Sequence, residues 1–115
     1  MRMPGGRTDL GAVHIRNDVV STIAALAARE VEGVAGIWKE PWLLRPLLGS
    51  GGVRVEIQEQ DVRLWVNLVA EYGVNLPNVA AEVQDRVRDR VEQMTQMNPL
   101  EIHVSIHQVK PRRGP

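Results

Sequence analysis

Residues 69–97 read V-A-E-Y-G-V-N-L-P-N-V-A-A-E-V-Q-D-R-V-R-D-R-V-E-Q-M-T-Q-M, from Val69 to Met97. The hydrophobic period changes inside this stretch. It begins as the end of a strand, turns at Tyr72–Asn75 around Gly73, and enters a helix at Pro77. Proline suits that first position, because first-turn N–H groups have no intrahelical partner to lose. Ala80, Val83, Val87, Val91 and Met94 then recur at helical spacing and predict one buried stripe. The other side carries Glu82, Asp85, Arg86, Arg88, Asp89, Arg90 and Glu92. That is a solvated face, with Glu82–Arg86 a favourable i,i+4 pair worth about 0.3 kcal/mol.

Upstream lie two strands. Val53, Val55 and Ile57 alternate with Arg54, Glu56 and Gln58. Val62, Leu64, Val66, Leu68 and Ala70 alternate with Arg63, Trp65, Asn67 and Glu71, and residues around Gln60 and Asp61 form the hairpin turn between them. Residues 40–52 hold two prolines and three glycines and read as a surface loop. Val34–Lys39 is a short strand. Before it, Asn17 offers a helix N-cap, Val20, Ile23, Ala24, Ala27 and Val31 fall on one helix face, and Gly33 ends the segment. Leu10–Arg16 alternates weakly, as a first strand. At the far end Ile102, Val104 and Ile106 alternate with Glu101, His103, Ser105 and His107 within a last strand, Leu100–Val109.

The expected fold is therefore α+β, with element order β-α-β-β-β-α-β. Both helices pack on one face of a single mixed sheet, and the other face stays polar and free. Residues 10–109 form the domain, residues 1–9 a flexible arm and residues 110–115 a basic tail.

Composition excludes several function classes. The chain of 115 residues has no cysteine, hence no disulfide, thiolate metal site or thiol nucleophile. Its 14 basic and 14 acidic residues cancel, where a dedicated nucleic-acid binder carries a basic excess. No apolar run approaches the roughly 20 residues of a membrane-spanning helix. The N-terminus has no apolar signal core, so a cytoplasmic location is expected, peripheral to the membrane at most through a partner.

Each candidate site has a plain reading beside it. His14, His103 and His107 alternate onto the polar sheet face. His103 and His107, four strand residues apart, are about 13 Å from each other and cannot share an ion. A His14–His103 pair without a carboxylate makes a poor metal site, so no metal and no cofactor is expected. Gly49-Ser-Gly-Gly52 has the G-x-x-G spacing of KH-type RNA-binding loops, but those join two helices between basic residues, whereas this one precedes a strand with Arg54 as its nearest basic neighbour downstream; a small KH-like RNA-binding module is the alternative function. No serine or threonine sits in a nucleophile elbow, and no carboxylate pair occupies an apolar pocket, so no enzyme is expected. With no phenylalanine and one tyrosine, the three tryptophans carry nearly all the aromatic surface. Trp65 should point away from the helices, and Trp42 lies in the proline loop beside Leu43 and Leu44. Trp38, Trp42, Leu43, Leu44 and Trp65 are the candidate partner-binding residues. The competing reading is that Trp38 and Trp65 cover the sheet edge and each other.

The quoted string resembles the signature of the bacterial alkaline-shock-protein family, the Gls-type envelope stress response proteins. There a segment like V-E-Y-G-V-x-I-P-E-V-A-x-x-V-Q-x-x-V leads into V-E-x-M-T. The likeness covers about residues 10–109. I-R-N-D-V-V-S-T-I-A-A-L-A-A-R-E-V-E-G-V-A-G-I (Ile15–Ile37) is similar to the family's opening, and Glu71–Val74 and Val83-Gln84 match its best-marked positions. Asn78, Gln96–Pro99 and His103 depart from it. The resemblance implies a non-enzymatic cytoplasmic scaffold that self-associates, binds a membrane-anchored envelope protein and serves the response to alkaline or envelope stress.

Overall fold

The computed structural model describes residues 7–8, 11–39 and 52–112. Its elements are β1 (Arg7–Thr8), β2 (Gly11–Ala12), α1 (Asn17–Arg29), β3 (Val34–Ile37), β4 (Val53–Gln58), β5 (Asp61–Glu71), α2 (Leu76–Thr95) and β6 (Asn98–Lys110). β5 is the hub. β4 pairs antiparallel with its first half (Val53 opposite Val66, Gln58 opposite Asp61), and β3 with its second (Val34 opposite Ala70, Ile37 opposite Leu68). β6 runs parallel along its whole length, from Asp61–Asn98 to Glu71–Lys110. Since β6 fills one edge, β3 and β4 lie end to end along the other. Both break off at Asn67, which accepts a hydrogen bond from the Trp38 N–H and donates its own N–H to Gly52. A Cβ on Gly52 would run into the Ile37 side chain and the Trp38 carbonyl, so the close approach of the two strand ends requires glycine there.

The mixed sheet has one covered face. Val62, Leu64, Val66 and Leu68 are fully buried and form one cluster with Val20, Ala24, Ala27 and Ala28 of α1 and Val79, Val83, Val87 and Val91 of α2. Each such Val or Leu contributes about 1.5–3 kcal/mol by leaving water. The α+β class and the element order match expectation.

Four local expectations are corrected. The first strand is only Gly11–Ala12, and it pairs with Arg7–Thr8, not with the main sheet. Of its alternating residues Ile15 packs against the core while Val13 is 50% exposed, so the segment supplies one anchor and no ladder. Asn17 is not a cap. It is the first residue of α1, and its Nδ2 donates to the Val55 carbonyl at 3.1 Å, tying α1 to β4; the cap position falls to Arg16, without a side-chain bond. The buried stripe of α2 is Val79, Val83, Val87, Val91 and Thr95. Ala80 is only half-buried and Met94 is 66% exposed. At the C-terminal end the reason is local: Gln96 turns left-handed at φ 61°, Thr95 Oγ donates to the Val91 carbonyl and accepts the Met97 N–H, and Met97 takes the buried place. Finally, Arg86 pairs with Glu30 of the α1 C-cap at 3.0 Å instead of with Glu82, and Arg90 joins it at 2.8 Å.

Two turns match what the residues ask for. Asn75 caps α2 by accepting the Asn78 N–H at 3.0 Å. Gly33 sits at φ +99°, and a Cβ there would lie 2.8 Å from a Val79 methyl, so glycine is needed for both conformation and space.

Candidate functional site

Among the described residues, the sheet face opposite the helices brings aromatic, imidazole and charged side chains together. Strand alternation sends Arg54 and Glu56 of β4, Arg63, Trp65 and Asn67 of β5, and Glu101, His103 and His107 of β6 to this side. Register then sets them in rows across three strands. One row is Glu56, Arg63 and Glu101; the next, two residues along, is Arg54, Trp65 and His103.

Within these rows all but Glu56 find a side-chain partner among the described residues. Arg63 lies 3.5 Å from Glu101, and His103 Nε2 donates to the same carboxylate at 2.9 Å. The bond from His103, then the Arg63 charge, holds the Glu101 carboxyl below its ordinary proton affinity. In the next row Arg54 Cζ sits 4.2 Å from the Trp65 ring centroid, and His103 stacks on Trp65 from the other strand at 5.5 Å and 13°. The tryptophan is thus sandwiched between a cation and an imidazole, and only its edge faces outward. Further along, Trp38 stacks on His107 at 4.3 Å and 14°. Asn67 directs its Nδ2 to the Gly52 carbonyl at 3.1 Å, so its Oδ1 accepts from His107 Nε2 at 2.8 Å and sets the imidazole tautomer.

Of the expected site residues, Trp38 and Trp65 are on this face, both half-buried. They do not cover each other; each stacks on its own histidine. Trp42, Leu43 and Leu44 lie outside the described residues. His14 is exposed in the segment before α1 and is not on the sheet, so the His14–His103 pair does not form. Among the described residues no three His, Asp or Glu side chains converge in a metal-binding group. Of the G-x-x-G run only Gly52 is described, and it is spent on the contact with β3 and on the Asn67 bonds. With both sides of the Trp65 indole occupied, a nucleobase finds no ring face to stack on there.

Away from this face, the described residues form one further feature of note. An open hollow of about 550 Å³ lies at the start of α1, lined by Arg16, Asn17, Asp18, Ser21, Arg54 and Val55. Its Arg16 and Asp18 neutralise each other at 3.2 Å. Glu30, held by Arg90 and Arg86, and Glu101 are both lowered in proton affinity, opposite to the shift of a general acid.

Sequence reasoning missed Arg54 and the stacking role of the two histidines. Alternation placed them on the right face; which residues became neighbours depended on register, set by shifts after Val62 and Leu68 that no periodicity reveals. Among the described residues, no helix is long and apolar enough to cross a membrane.

The sheet with two helices on one side also occurs in solved structures. The copper form of the MamM CTD superposes with TM-score 0.57 at 17% identity, covering 85% of this chain and 89% of that one. At that identity the likeness concerns the fold alone. Sequence relatives are nearer. Uncharacterized protein YqhY of Bacillus subtilis (strain 168) is 31% identical over 118 residues, covering 92% of this chain and 82% of that protein. The stress response regulator gls24 homolog of Streptococcus pyogenes serotype M1 is 25% identical over 107 residues, covering 87% of this chain; the chain spans 59% of that protein's length. The profile of the alkaline shock protein 23 family, described as of cell envelope-related function, matches residues 5–111. The alkaline-shock, Gls-type resemblance of the quoted string is thereby confirmed: the chain belongs to the alkaline shock protein 23 family, of cell envelope-related function.

Proposed function

We propose that this protein is a non-enzymatic scaffold of the cell envelope stress response. It works by self-association and by holding a membrane-anchored partner, while itself remaining on the cytoplasmic side. The observation that carries this reading is the match of the envelope-related family across residues 5–111. The relatives named as stress response regulators support the stress assignment. The sheet face supports a contact role, because it sets stacked tryptophans and paired charges side by side across neighbouring strands. Trp38 and Trp65 are the proposed contact residues there, with Trp42, Leu43 and Leu44 from the segment that joins Lys39 to Gly52. Residues 10–109 are the proposed acting unit between an arm at 1–9 and a tail at 110–115, although Lys110 still ends β6 and Arg7–Thr8 pair with Gly11–Ala12.

A fluorescent fusion expressed in its native host tests the envelope assignment. Signal concentrated at the cell periphery, and dispersed when membrane proteins are solubilised, is the expected result. Uniform cytoplasmic signal under both alkaline and cell-wall stress would overturn it.

A further inference from the structure

The open face is complementary to itself. We propose that two copies of the chain pack sheet on sheet through it, across a two-fold axis that runs perpendicular to the strands between the Glu56–Arg63–Glu101 and Arg54–Trp65–His103 rows. This deepens the self-association reading by naming its surface and symmetry.

Charge and register select the axis. The two rows are adjacent, about 6.6 Å apart by the rise of a strand. A two-fold along the row direction keeps each strand over its own counterpart and reverses its sense. Glu56 then meets Arg54 of the second copy, Arg63 meets Trp65, and Glu101 meets His103, with every contact occurring twice. These are ion pairs at one end and a carboxylate against an imidazole at the other; in the middle the Arg63 stem covers the Trp65 edge by apolar contact, without cation–π attraction, since a ring edge is electropositive. The other in-plane axis, parallel to the strands, gives the opposite result: Glu56 falls on Glu101 and Arg63 on Arg63. Like charges reject that arrangement. The zero net charge removes long-range repulsion between copies. Packed sheets cross at about 30°, which spreads distant rows but leaves those flanking the axis opposed.

Area sets the strength. Three strands about 4.8 Å apart, along the 11 residues of β5, present roughly 500 Å² per copy. That is the low end for a specific interface, so the dimer should be weak and reversible, with Kd on the order of 10–100 μM. Exposed ion pairs also make it sensitive to salt.

Sedimentation velocity of the full chain from about 5 μM to 1 mM, in low and high salt, tests the proposal alongside Arg54→Glu, Glu56→Arg and the double swap. Both substituted positions are exposed, and circular-dichroism melts of the three variants verify folding. Each single change places like charges across the axis twice and is expected to weaken dimerisation about tenfold or more. The double swap restores opposite charges and should recover most of the affinity. A wild-type chain that stays monomeric to 1 mM would overturn self-association itself. A wild-type chain that associates equally well in both single variants would overturn this face alone and leave it to the partner protein. Failure of the double swap to recover, with folding intact, would rule out this axis.

Discussion

Gln84 shows how a residue can be prominent in a motif for a reason invisible in one dimension. It lies beside the buried Val83, yet its Nε2 reaches the Ile102 carbonyl at 2.9 Å and fastens α2 to β6. Gln84→Ala should lower stability by about 1–2 kcal/mol, since it strands a half-buried acceptor, and urea unfolding would measure it. The apolar pattern of the sequence reads which side of a helix is buried, but a polar tie spanning 18 residues leaves no periodic trace. The same limit explains Met94. Its spacing fitted the stripe, but the left-handed cap at Gln96 brought Thr95 and Met97 inward instead. Gly33 was legible as a terminator, while its second duty, making room for Val79, was not. Gly33→Ala combines a strained φ with a methyl clash and should cost about 3 kcal/mol in the same assay.

The elements join through surface clamps as well as core. Glu30, at the end of α1, receives Arg86 at 3.0 Å and Arg90 at 2.8 Å from α2. The bonds from Arg90, then Arg86, hold its carboxyl below the ordinary 4.5. A carboxylate lowered by folding takes up its proton later in the folded chain than in the unfolded one. Its contribution is therefore complete above about pH 4.5 and fades as pH falls through the lower folded value. Thermal melts of the wild type and Glu30→Gln should thus differ at pH 7 and draw together at an acid pH well below 4.5. A constant gap at both would show that the clamp acts through packing and not charge. The sequence suggested an i,i+4 pair within α2; the partner chosen instead lies 56 residues away, because α1 ends beside that turn. Strands β4, β5 and β6 were legible from alternation of aliphatic and polar residues, broken in β5 at Val69, as was the burial of one sheet face. The first strand was not, since among its described residues only Ile15 reaches the core.

At the scale of the molecule, one sheet face is sealed by two helices and the other is a flat, ordered mosaic of stacked rings and paired charges. Alternation foretold that Trp65 would face outward. It could not foretell that Arg54 and His103 would flank it, because that depends on three strands meeting in one register. This outer face is where the chain is proposed to meet its partners, starting with itself. Residue-resolved NMR on a dilution series, from about 1 mM down to 20 μM, tests that most directly. Shifts and broadening should cluster on Arg54, Glu56, Arg63, Glu101, His103 and the Trp65 indole, while the outward residues Val19 and Leu26 of α1 stay unchanged. Concentration-dependent shifts on α1 and α2, with the sheet face silent, would contradict it.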